Sequence, residues 1–344
     1  MPRIKDIAAR ANVSIGTVDR VLHGRGRVSK TTEARIRRIV EETNYHPNIF
    51  ARNLKLDKTF VFGVLMPKPS QDSSFWTLPM AGINRAVREL AAQRIAVRFH
   101  FYDKYSASSF EKVSREILRS RLDGLLIAPV LSRAFESFVS QMRGRLPFVF
   151  FDSFIPGAGY LSAIGQDAFQ SGIVAGRLMQ LIVPPDGRIA VLRAVPSDYH
   201  IEDRIGGFLT YCRRKCGHDT PVFDFDSHES PAARRKTLRR IAETEGLRGI
   251  FVTNASTHQA SGLRSERERG ETGVRIIGYD LIEDNVRCLR EGSVDFLISQ
   301  RPERQGYEGI LALYRAVVLK APVAKSIMMP IDIVTRESVD HYRD

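Results

Sequence analysis

The chain has 344 residues, 43% of them hydrophobic and 9% aromatic, which suffices for more than one core, since single cores stop growing at roughly 250 to 300 residues. Its formal net charge of +13 is concentrated at one end, because residues 1–60 carry a net +7. This basic end favours binding to nucleic-acid phosphates over a merely solvated face. No apolar run reaches the ~20 residues of a membrane span, and none resembles a secretory signal. We therefore expect a cytoplasmic protein without a membrane partner.

The first residues predict a short amphipathic helix followed by a turn. Apolar side chains recur at the spacing of one helical face, at Ile4, Ile7, Ala8 and Ala11. Asn12 tolerates the left-handed conformation of a tight turn, and the Ser14 side chain can accept a backbone N–H as the cap of the next helix. A helix, a turn and a second helix therefore follow one another.

The second predicted helix has an apolar inner side formed by Val18, Val21 and Leu22. The outer side and the start of this helix then present Ile15, Gly16, Thr17 and Arg20. A third helix, about residues 30–43 with Ser29 as its cap, completes a small shared core.

A helix-turn-helix unit places its second helix in the major groove of DNA. An arginine there can bond guanine through two hydrogen bonds, and a small apolar group can contact a thymine methyl. Arg20 and Ile15 are the candidates for these two roles.

Two segments in the right order, KDIAARANVSIGTVDRVLHGRGRVS at 5–29 and YHPNIFARNLK at 45–55, resemble the head of the LacI/GalR transcriptional regulators. The resemblance implies a DNA-binding domain at 1–46, followed by a hinge helix and linker at 47–58. It also implies that Leu54 wedges into the minor groove, where an apolar side chain unstacks a base step and kinks the duplex. Arg52 or Lys55 would then lie near phosphates.

By the same matching, the implied DNA contacts of the head and hinge are Ser14, Thr17, Arg20, Ser29, Tyr45 and Asn48. Each of these side chains has a plain capping or packing role as its alternative. Two residues depart from the family pattern. Asp19 stands where the family usually has Ser, and Arg3 stands where it often has Ser or Thr. The operator therefore need not be that of better-known relatives.

From Phe60 onward, short β-rich runs alternate with helical stretches, a pattern that predicts parallel sheets with covering helices. The clearest runs lie at 60–66, 97–101, 123–129, 147–152, 188–193, 221–226, 247–253, 274–280 and 294–300. These are too many strands for one ordinary sheet. We expect an α/β body of two subdomains, one of about 59–160 plus 293–323 and the other of about 161–292 plus 324–344.

Several predicted strands end in a polar residue, and open α/β sheets bind ligands beyond the carboxyl ends of their strands. RIGGF, GIFVTN, IIGYD and LISQRPERQGYEG also resemble parts of LacI/GalR bodies and of periplasmic sugar-binding proteins. The resemblance implies a ligand cleft lined by Asp152, Arg204, Asn254, Asp280 and Gln300, with Phe75 or Trp76 as an aromatic wall. The alternatives are a helix cap for Asp280, a turn for Asn254 and core packing for Phe75 or Trp76.

The implied ligand is a monosaccharide, a polyol or a sugar acid, because carboxylates, amides and an arginine suit vicinal hydroxyls and an aromatic face covers a sugar ring. A nucleobase or an amino acid stays open. The sequence has no P-loop, no His-Glu-x-x-His and no Gly-x-Ser-x-Gly elbow, so we predict neither an enzyme nor a cofactor or metal site.

These inferences together predict a ligand-responsive, sequence-specific transcriptional regulator, acting as a repressor of carbohydrate genes. The expected assembly is a homodimer on a palindromic or near-palindromic operator, with half-sites roughly one helical turn apart. The rivals are a sugar enzyme, a non-specific DNA-compacting protein and a transported sugar-binding protein. The first and the third leave the head unexplained, and the second would bind DNA without a preferred sequence.

Overall fold

The computed structural model of the chain describes residues 4–22, 26, 28–43, 58–130, 132–195, 198–215, 220–226, 228–265 and 273–344. Its contacts divide the chain into two compact units, residues 1–58 and 59–344. No helix among these residues is both long and apolar enough to cross a membrane.

The first unit contains three helices, α1 (Ile4–Arg10), α2 (Ile15–Leu22) and α3 (Lys30–Glu42). Each helix contributes one apolar face to a common core, which consists of Ile7, Ala8, Ala11, Val18, Val21, Ile36 and Ile39. Leu22, which the sequence predicts to face inward, and Val40 pack against this core from its edge. A core of this size leaves the opposite faces of the helices in solvent.

Local hydrogen bonds fix the turn and the helix starts in the first unit. Asn12 has φ 50°, the left-handed conformation that its position in the turn predicts. The Ser14 Oγ accepts from the Thr17 N–H at 3.1 Å, and the Ser29 Oγ accepts from the Thr32 N–H at 3.3 Å. Both serines therefore satisfy backbone donors that a helix start leaves without partners.

The second unit alternates strands and helices along the chain. Its strands are β1 (Phe60–Pro67), β2 (Ile95–Tyr102), β3 (Gly124–Ile127), β4 (Phe148–Phe151), β5 (Ser162–Gln166), β6 (Arg188–Ala194), β7 (Val222–Phe225), β8 (Leu247–Val252), β9 (Arg275–Tyr279), β10 (Phe296–Ser299), β11 (Ser326–Met329) and β12 (Asp332–Val334). Its helices are α4 (Thr77–Glu89), α5 (Ala107–Arg119), α6 (Ser132–Met142), α7 (Ala168–Ile182), α8 (Tyr199–Lys215), α9 (Pro231–Ala242), α10 (Gly262–Ser265), α11 (Glu283–Glu291) and α12 (Pro302–Leu313).

These strands form two six-stranded sheets. Each sheet, with the helices that pack on it, makes one half of the body, which comprises residues 59–344. The first sheet has the order β11-β5-β4-β3-β1-β2 and the second the order β12-β10-β9-β8-β6-β7. The paired strands run parallel except β12, which is antiparallel to β10. Central strands such as β3 and β4 are buried along their whole length, as expected where helices cover both faces of a parallel sheet.

The sheet topology corrects the predicted subdomain boundaries at three strands. β5 and β11 lie in the first sheet, where Val149 pairs with Ser162 and Ser326 pairs with Ala163. β10 lies in the second sheet, where Leu297 pairs with Gly278. The sequence predicts each of these strands in the other half, because β5 and β11 lack a clear strand pattern and β10 precedes a helix, α12, that packs on the first sheet.

Glycines allow two pairs of helices to pack backbone against backbone. α4 packs on α12 in the first half, and a Cβ at Gly82 would lie 1.7 Å from the Glu303 carbonyl oxygen. α7 packs on α8 in the second half, and a Cβ at Gly172 would lie 2.0 Å from the Arg204 carbonyl oxygen. Real Cβ atoms do not approach this closely, so these positions require glycine.

Candidate functional site

The start and outer face of α2 are exposed, as the sequence predicts. The Ile15 side chain is 50% exposed, which is unusual for a large apolar residue in a unit with so small a core. Ser14, Gly16 and Arg20 are also exposed, and Thr17 is half-buried. The predicted contacts Tyr45, Asn48, Arg52, Leu54 and Lys55 lie outside the described residues.

A cleft with about 420 Å³ of free space, its open mouth included, lies in the second unit at the carboxyl ends of strands from both sheets. All seven residues predicted to face a ligand line it: Phe75, Trp76, Asp152, Arg204, Asn254, Asp280 and Gln300. The structure therefore brings this set together, and both aromatic residues belong to it. Parallel strands direct their carboxyl ends to one edge of a sheet, which explains why residues so distant in sequence converge.

Two aspartates of the cleft, Asp152 and Asp280, hold strained but defined positions. Asp152 directly follows β4 and Asp280 directly follows β9, and each has φ 68°. A residue with a Cβ adopts this left-handed conformation at a cost of order 1 to 3 kcal/mol, so the surrounding contacts must hold it. The Asp152 N–H donates to the Ile164 carbonyl at 3.0 Å and to the Gln305 Oε1 at 2.7 Å.

Arg204 is the only buried arginine among the described residues, and it is held on several sides. It lies on α8, and its guanidinium donates to the Thr253 carbonyl oxygen and to the Gln300 Oε1, both at 2.8 Å. The guanidinium also lies 3.8 Å from the centre of the Tyr279 ring. Gln300 in turn donates to Asp280 Oδ2 at 3.3 Å. Two of the five N–H donors of Arg204 are thus used to fix its direction.

Four buried polar atoms of the cleft make no hydrogen bond among the described residues: Asp152 Oδ1, Asp280 Oδ1, Arg204 Nε and His200 Nδ1, of which only the last lies beside an opposite charge, 2.6 Å from Asp198 Oδ1. A buried polar group without a partner costs roughly 1 to 3 kcal/mol, so such groups in a folded protein need an explanation. Two carboxylate acceptors and one N–H donor facing a single cleft are the complement of a ligand with several hydroxyl groups.

Burial shifts the protonation of both aspartates. Loss of hydration raises the pKa of Asp280 to about 7, although the Arg204 charge opposes this rise and the Asp152 carboxylate adds to it. Burial likewise raises the pKa of Asp152, against the attraction of His200. Near neutral pH the cleft therefore carries less negative charge than its composition suggests.

The aromatic side chains form one corner of the cleft. The rings of Phe75 and Trp76 meet edge to face with centres 5.0 Å apart, and the Trp76 ring meets Phe151 of β4 at 6.4 Å. Phe75 is 5% exposed and Trp76 2%. They therefore pack into the core of the first half as well as lining the cleft, so packing and ligand contact are not exclusive roles.

Sequence reasoning missed four charged residues of the cleft: Asp72, Lys104, Asp198 and His200. The Lys104 ammonium pairs with Asp72, which also accepts from the Trp76 indole N–H at 2.8 Å. His200 Nδ1 lies 2.6 Å from Asp198 Oδ1. Burial raises the pKa of Asp198, but the attraction of His200 outweighs burial, so this pKa lies below its ordinary value. These residues follow β1, β2 and β6, so the strand-end rule would have found them.

The two units match two families. Residues 3–48 match the family described as bacterial regulatory proteins, lacI family, and residues 62–321 match the periplasmic binding protein domain. The chain is 23% identical to the ribose operon repressor of Lactococcus lactis, over 100% of this chain and 99% of that protein. It is 27% identical to the transcriptional repressor PurR of Klebsiella pneumoniae, over 98% and 97% of the two chains.

Solved structures share the fold of the second unit. A protein described as a LacI transcriptional regulator from Bacteroides fragilis superposes with a TM-score of 0.76 at 28% identity, over 83% of this chain and 100% of that one. A carbohydrate-transporter binding protein from Agrobacterium radiobacter, in complex with D-arabinose, gives a TM-score of 0.68 at 16% identity, over 83% and 97%. The second likeness shows a common fold.

Proposed function

Because the chain belongs to the lacI family of bacterial regulatory proteins, which are DNA-binding transcriptional regulators and not enzymes, we propose that it represses genes of carbohydrate uptake or metabolism under the control of a sugar-like effector. The effector binds in the cleft between the two sheets of the body and changes the affinity of the head for operator DNA. The protein acts in the cytoplasm, where its operator lies.

The observation that carries this proposal is the set of unpartnered buried atoms on Asp152, Asp280 and Arg204. A sugar or polyol would supply hydroxyl donors to the two carboxylates and a hydroxyl acceptor to the Arg204 Nε. A sugar acid fits less well, because Arg204 already donates to Thr253 and Gln300 and the Lys104 ammonium is already paired with Asp72. The names of ribose operon repressors among the relatives, and the bound D-arabinose in a protein of like fold, support the same chemistry.

On the DNA side, we assign the base contacts to α2. Arg20 and Ile15 project from its exposed face and would reach base edges in the major groove, with Ser14, Gly16 and Thr17 at the helix start. Ser29 would contact a phosphate while it caps α3. Tyr45, Asn48, Arg52, Leu54 and Lys55 are assigned from the family resemblance alone, with residues 47–58 as the hinge.

The proposed regulator works as a homodimer on two half-sites of a palindromic or near-palindromic operator. Closure of the body around the effector alters the geometry of the hinge and thereby the fit of the two heads. Coupling of this kind is typically ~1 to 3 kcal/mol, and reciprocity requires operator DNA to change effector affinity by the same factor.

The test begins with the full chain and a pool of random duplexes, from which the preferred operator is selected. Thermal-shift screening against monosaccharides, polyols, sugar acids and purines then identifies the effector, because a ligand that binds the folded state raises its melting point. Operator affinity is measured with and without that ligand, in the wild type and in Asp280→Ala. We expect the variant to bind operator normally and to lose the response. A protein that treats every duplex alike, with or without these metabolites, would overturn the proposal.

A further inference from the structure

A second pocket opens beside the ligand cleft, at its rim. It has about 620 Å³ of free space, its open mouth included, and it is lined by Lys68, Ser70, Gln71, Asp72, Ser73, Asp103, Tyr105 and His228. We call it the rim pocket. Most of its residues follow β1 and β2 in the first half of the body, whereas His228 follows β7 in the second half. Residues of both halves of the body therefore line the rim pocket.

One side chain separates the rim pocket from the cleft. Asp72 lines both, with Oδ2 accepting from the indole N–H of Trp76 in the cleft and Oδ1 paired with the Lys104 ammonium. Lys104 lines the cleft, and its neighbours Asp103 and Tyr105 line the rim pocket. The cleft and the rim pocket therefore meet at Asp72, which a molecule spanning both would have to pass.

The lining of the rim pocket is built by tertiary contacts. Gln71 donates from Nε2 to Asp103 Oδ1 at 2.8 Å and accepts the Lys104 N–H at 3.2 Å, while Lys68 pairs with Asp103 at 3.0 Å. These bonds hold three successive residues, Asp72 to Ser74, at φ 51°, 57° and 66°. Residues with a Cβ adopt this left-handed conformation seldom, and then one at a time. Three in succession must therefore be held by the surrounding contacts, which define the shape of the loop.

The chemistry of the rim pocket suits a neutral hydroxylated group. The two ammonium groups at the rim pocket are neutralised by carboxylates, because Lys68 pairs with Asp103 and the adjoining Lys104 pairs with Asp72. A phosphate would meet two carboxylates here, which argues against a sugar phosphate. Hydroxyls from Ser70 and Ser73, the Gln71 amide and the carboxylates can exchange hydrogen bonds with a sugar. The Tyr105 and His228 rings, stacked with centres 4.4 Å apart, add an aromatic edge.

We propose that the rim pocket is a second sugar subsite and that the effector is a neutral disaccharide or glycoside, with one ring in the cleft and the next in the rim pocket. This inference rests on the proposed function, since it assumes that the cleft holds the first ring. It adds that the chain discriminates between one sugar ring and two. Occupation of the rim pocket would also bring residues of both halves to the same ligand.

The test compares disaccharides with their component sugars. Xylobiose, maltose, cellobiose, lactose and melibiose are titrated into the full chain beside D-xylose, D-glucose and D-galactose. Binding is followed by calorimetry and by the fluorescence of Trp76, the chain's one tryptophan, which lines the cleft. We expect at least one disaccharide to bind about tenfold or more tightly than either of its component rings, the gain of a few added hydrogen bonds.

Ser70 offers a matched pair of variants, because it is exposed and lines the rim pocket but not the cleft. Ser70→Tyr fills the rim pocket and should remove the disaccharide advantage while monosaccharide affinity stays within about twofold. Ser70→Ala keeps the space and should retain most of the advantage. Equal losses for one and two rings in Ser70→Tyr would overturn the inference, as would monosaccharides binding as tightly as every disaccharide. The latter result leaves the proposed function standing, whereas failure of all these sugars and of the wider screen would overturn both.

Discussion

Asp152 and Asp280 occupy equivalent positions in the two halves of the body. Each follows the fourth strand of its sheet, counted from β2 in one and from β7 in the other, and each has φ 68°. Each also buries one carboxylate oxygen without a partner among the described residues. The repeated topology thus presents two carboxylates to one cleft, and the charge of Asp152 contributes to the raised pKa of Asp280.

Replacement of Asp280 by Asn should stabilise the body more at high pH than at low pH. Burial raises the pKa of this carboxyl to about 7 in the folded protein, from an ordinary value of 3.8. Between these values the folded state binds more protons than the unfolded state, so the contribution of Asp280 to stability falls as the pH rises from about 4 to about 7. The asparagine carries no charge to bury. The difference in Tm between variant and wild type should therefore widen with pH and level off above about pH 8.

Asp186→Asn provides the control, because it replaces a carboxylate that is exposed to solvent in the folded protein, whereas the Asp280 carboxylate is buried. Its difference in Tm from the wild type should change little across the same range. A pH-independent difference for Asp280→Asn would contradict the raised pKa.

Much of the fold follows from local patterns in the sequence. The helical spacing of Ile4, Ile7, Ala8 and Ala11 predicts α1, and the short β-rich runs predict the central strands of both sheets. Those central strands are buried on both faces, so their sequences are continuously apolar and easy to recognise. The convergence of Asp152 and Asp280 follows from the strand-end rule for parallel sheets.

The parts that the sequence did not predict depend on partners far along the chain. β11 carries exposed side chains such as Met328 at the edge of its sheet, so it lacks the pattern of a buried strand. Membership of β5 in the first sheet is decided by pairing with β4, not by its own residues. The Asp72–Lys104 pair joins the ends of two strands, and neither residue alone indicates the other.

Substitution of Arg20 by Ala should relax base preference at one position of each half-site. Loss of a two-bond contact to guanine costs ~1 to 3 kcal/mol of discrimination against the wrong base. Arg37→Ala is the matched control, because Arg37 lies on α3 and is paired with Glu33 at 2.7 Å. Competition binding with operators altered at single base pairs distinguishes the two variants. Unchanged selectivity in Arg20→Ala would remove this residue from base readout.

Two substitutions separate the capping role of Ser29 from contact with DNA. Ser29→Ala removes the acceptor for the Thr32 N–H and should destabilise α3 by about 1 kcal/mol. Ser29→Asp keeps a good cap but brings a negative charge to any nearby phosphate. Hydrogen exchange of α3 amides should show normal protection in the Asp variant, whereas its operator affinity should fall below that of the Ala variant. Normal operator binding by Ser29→Asp would leave Ser29 as a cap alone.

Adjacent glycines on α8 should respond in opposite ways to the same substitution. A Cβ at Gly207 would lie 1.9 Å from the Phe169 carbonyl oxygen of α7, whereas a Cβ at Gly206 would lie 3.7 Å from the Phe169 ring, which is ordinary contact. Gly206→Ala should be neutral or stabilise the body by up to ~1 kcal/mol through helix propensity. Gly207→Ala forces α7 and α8 apart and should destabilise by roughly 1 to 3 kcal/mol.

The same displacement should reach the ligand cleft, because α8 carries Arg204 one turn before Gly207. Thermal unfolding gives the stability of both variants, and ligand titration gives the effect on the cleft. We expect Gly207→Ala to lose both Tm and ligand affinity, since the guanidinium must stay within reach of Thr253 and Gln300 to direct its Nε. Gly206→Ala should keep both. Equal behaviour of the two variants would mean that the close approach of α7 and α8 does not position Arg204.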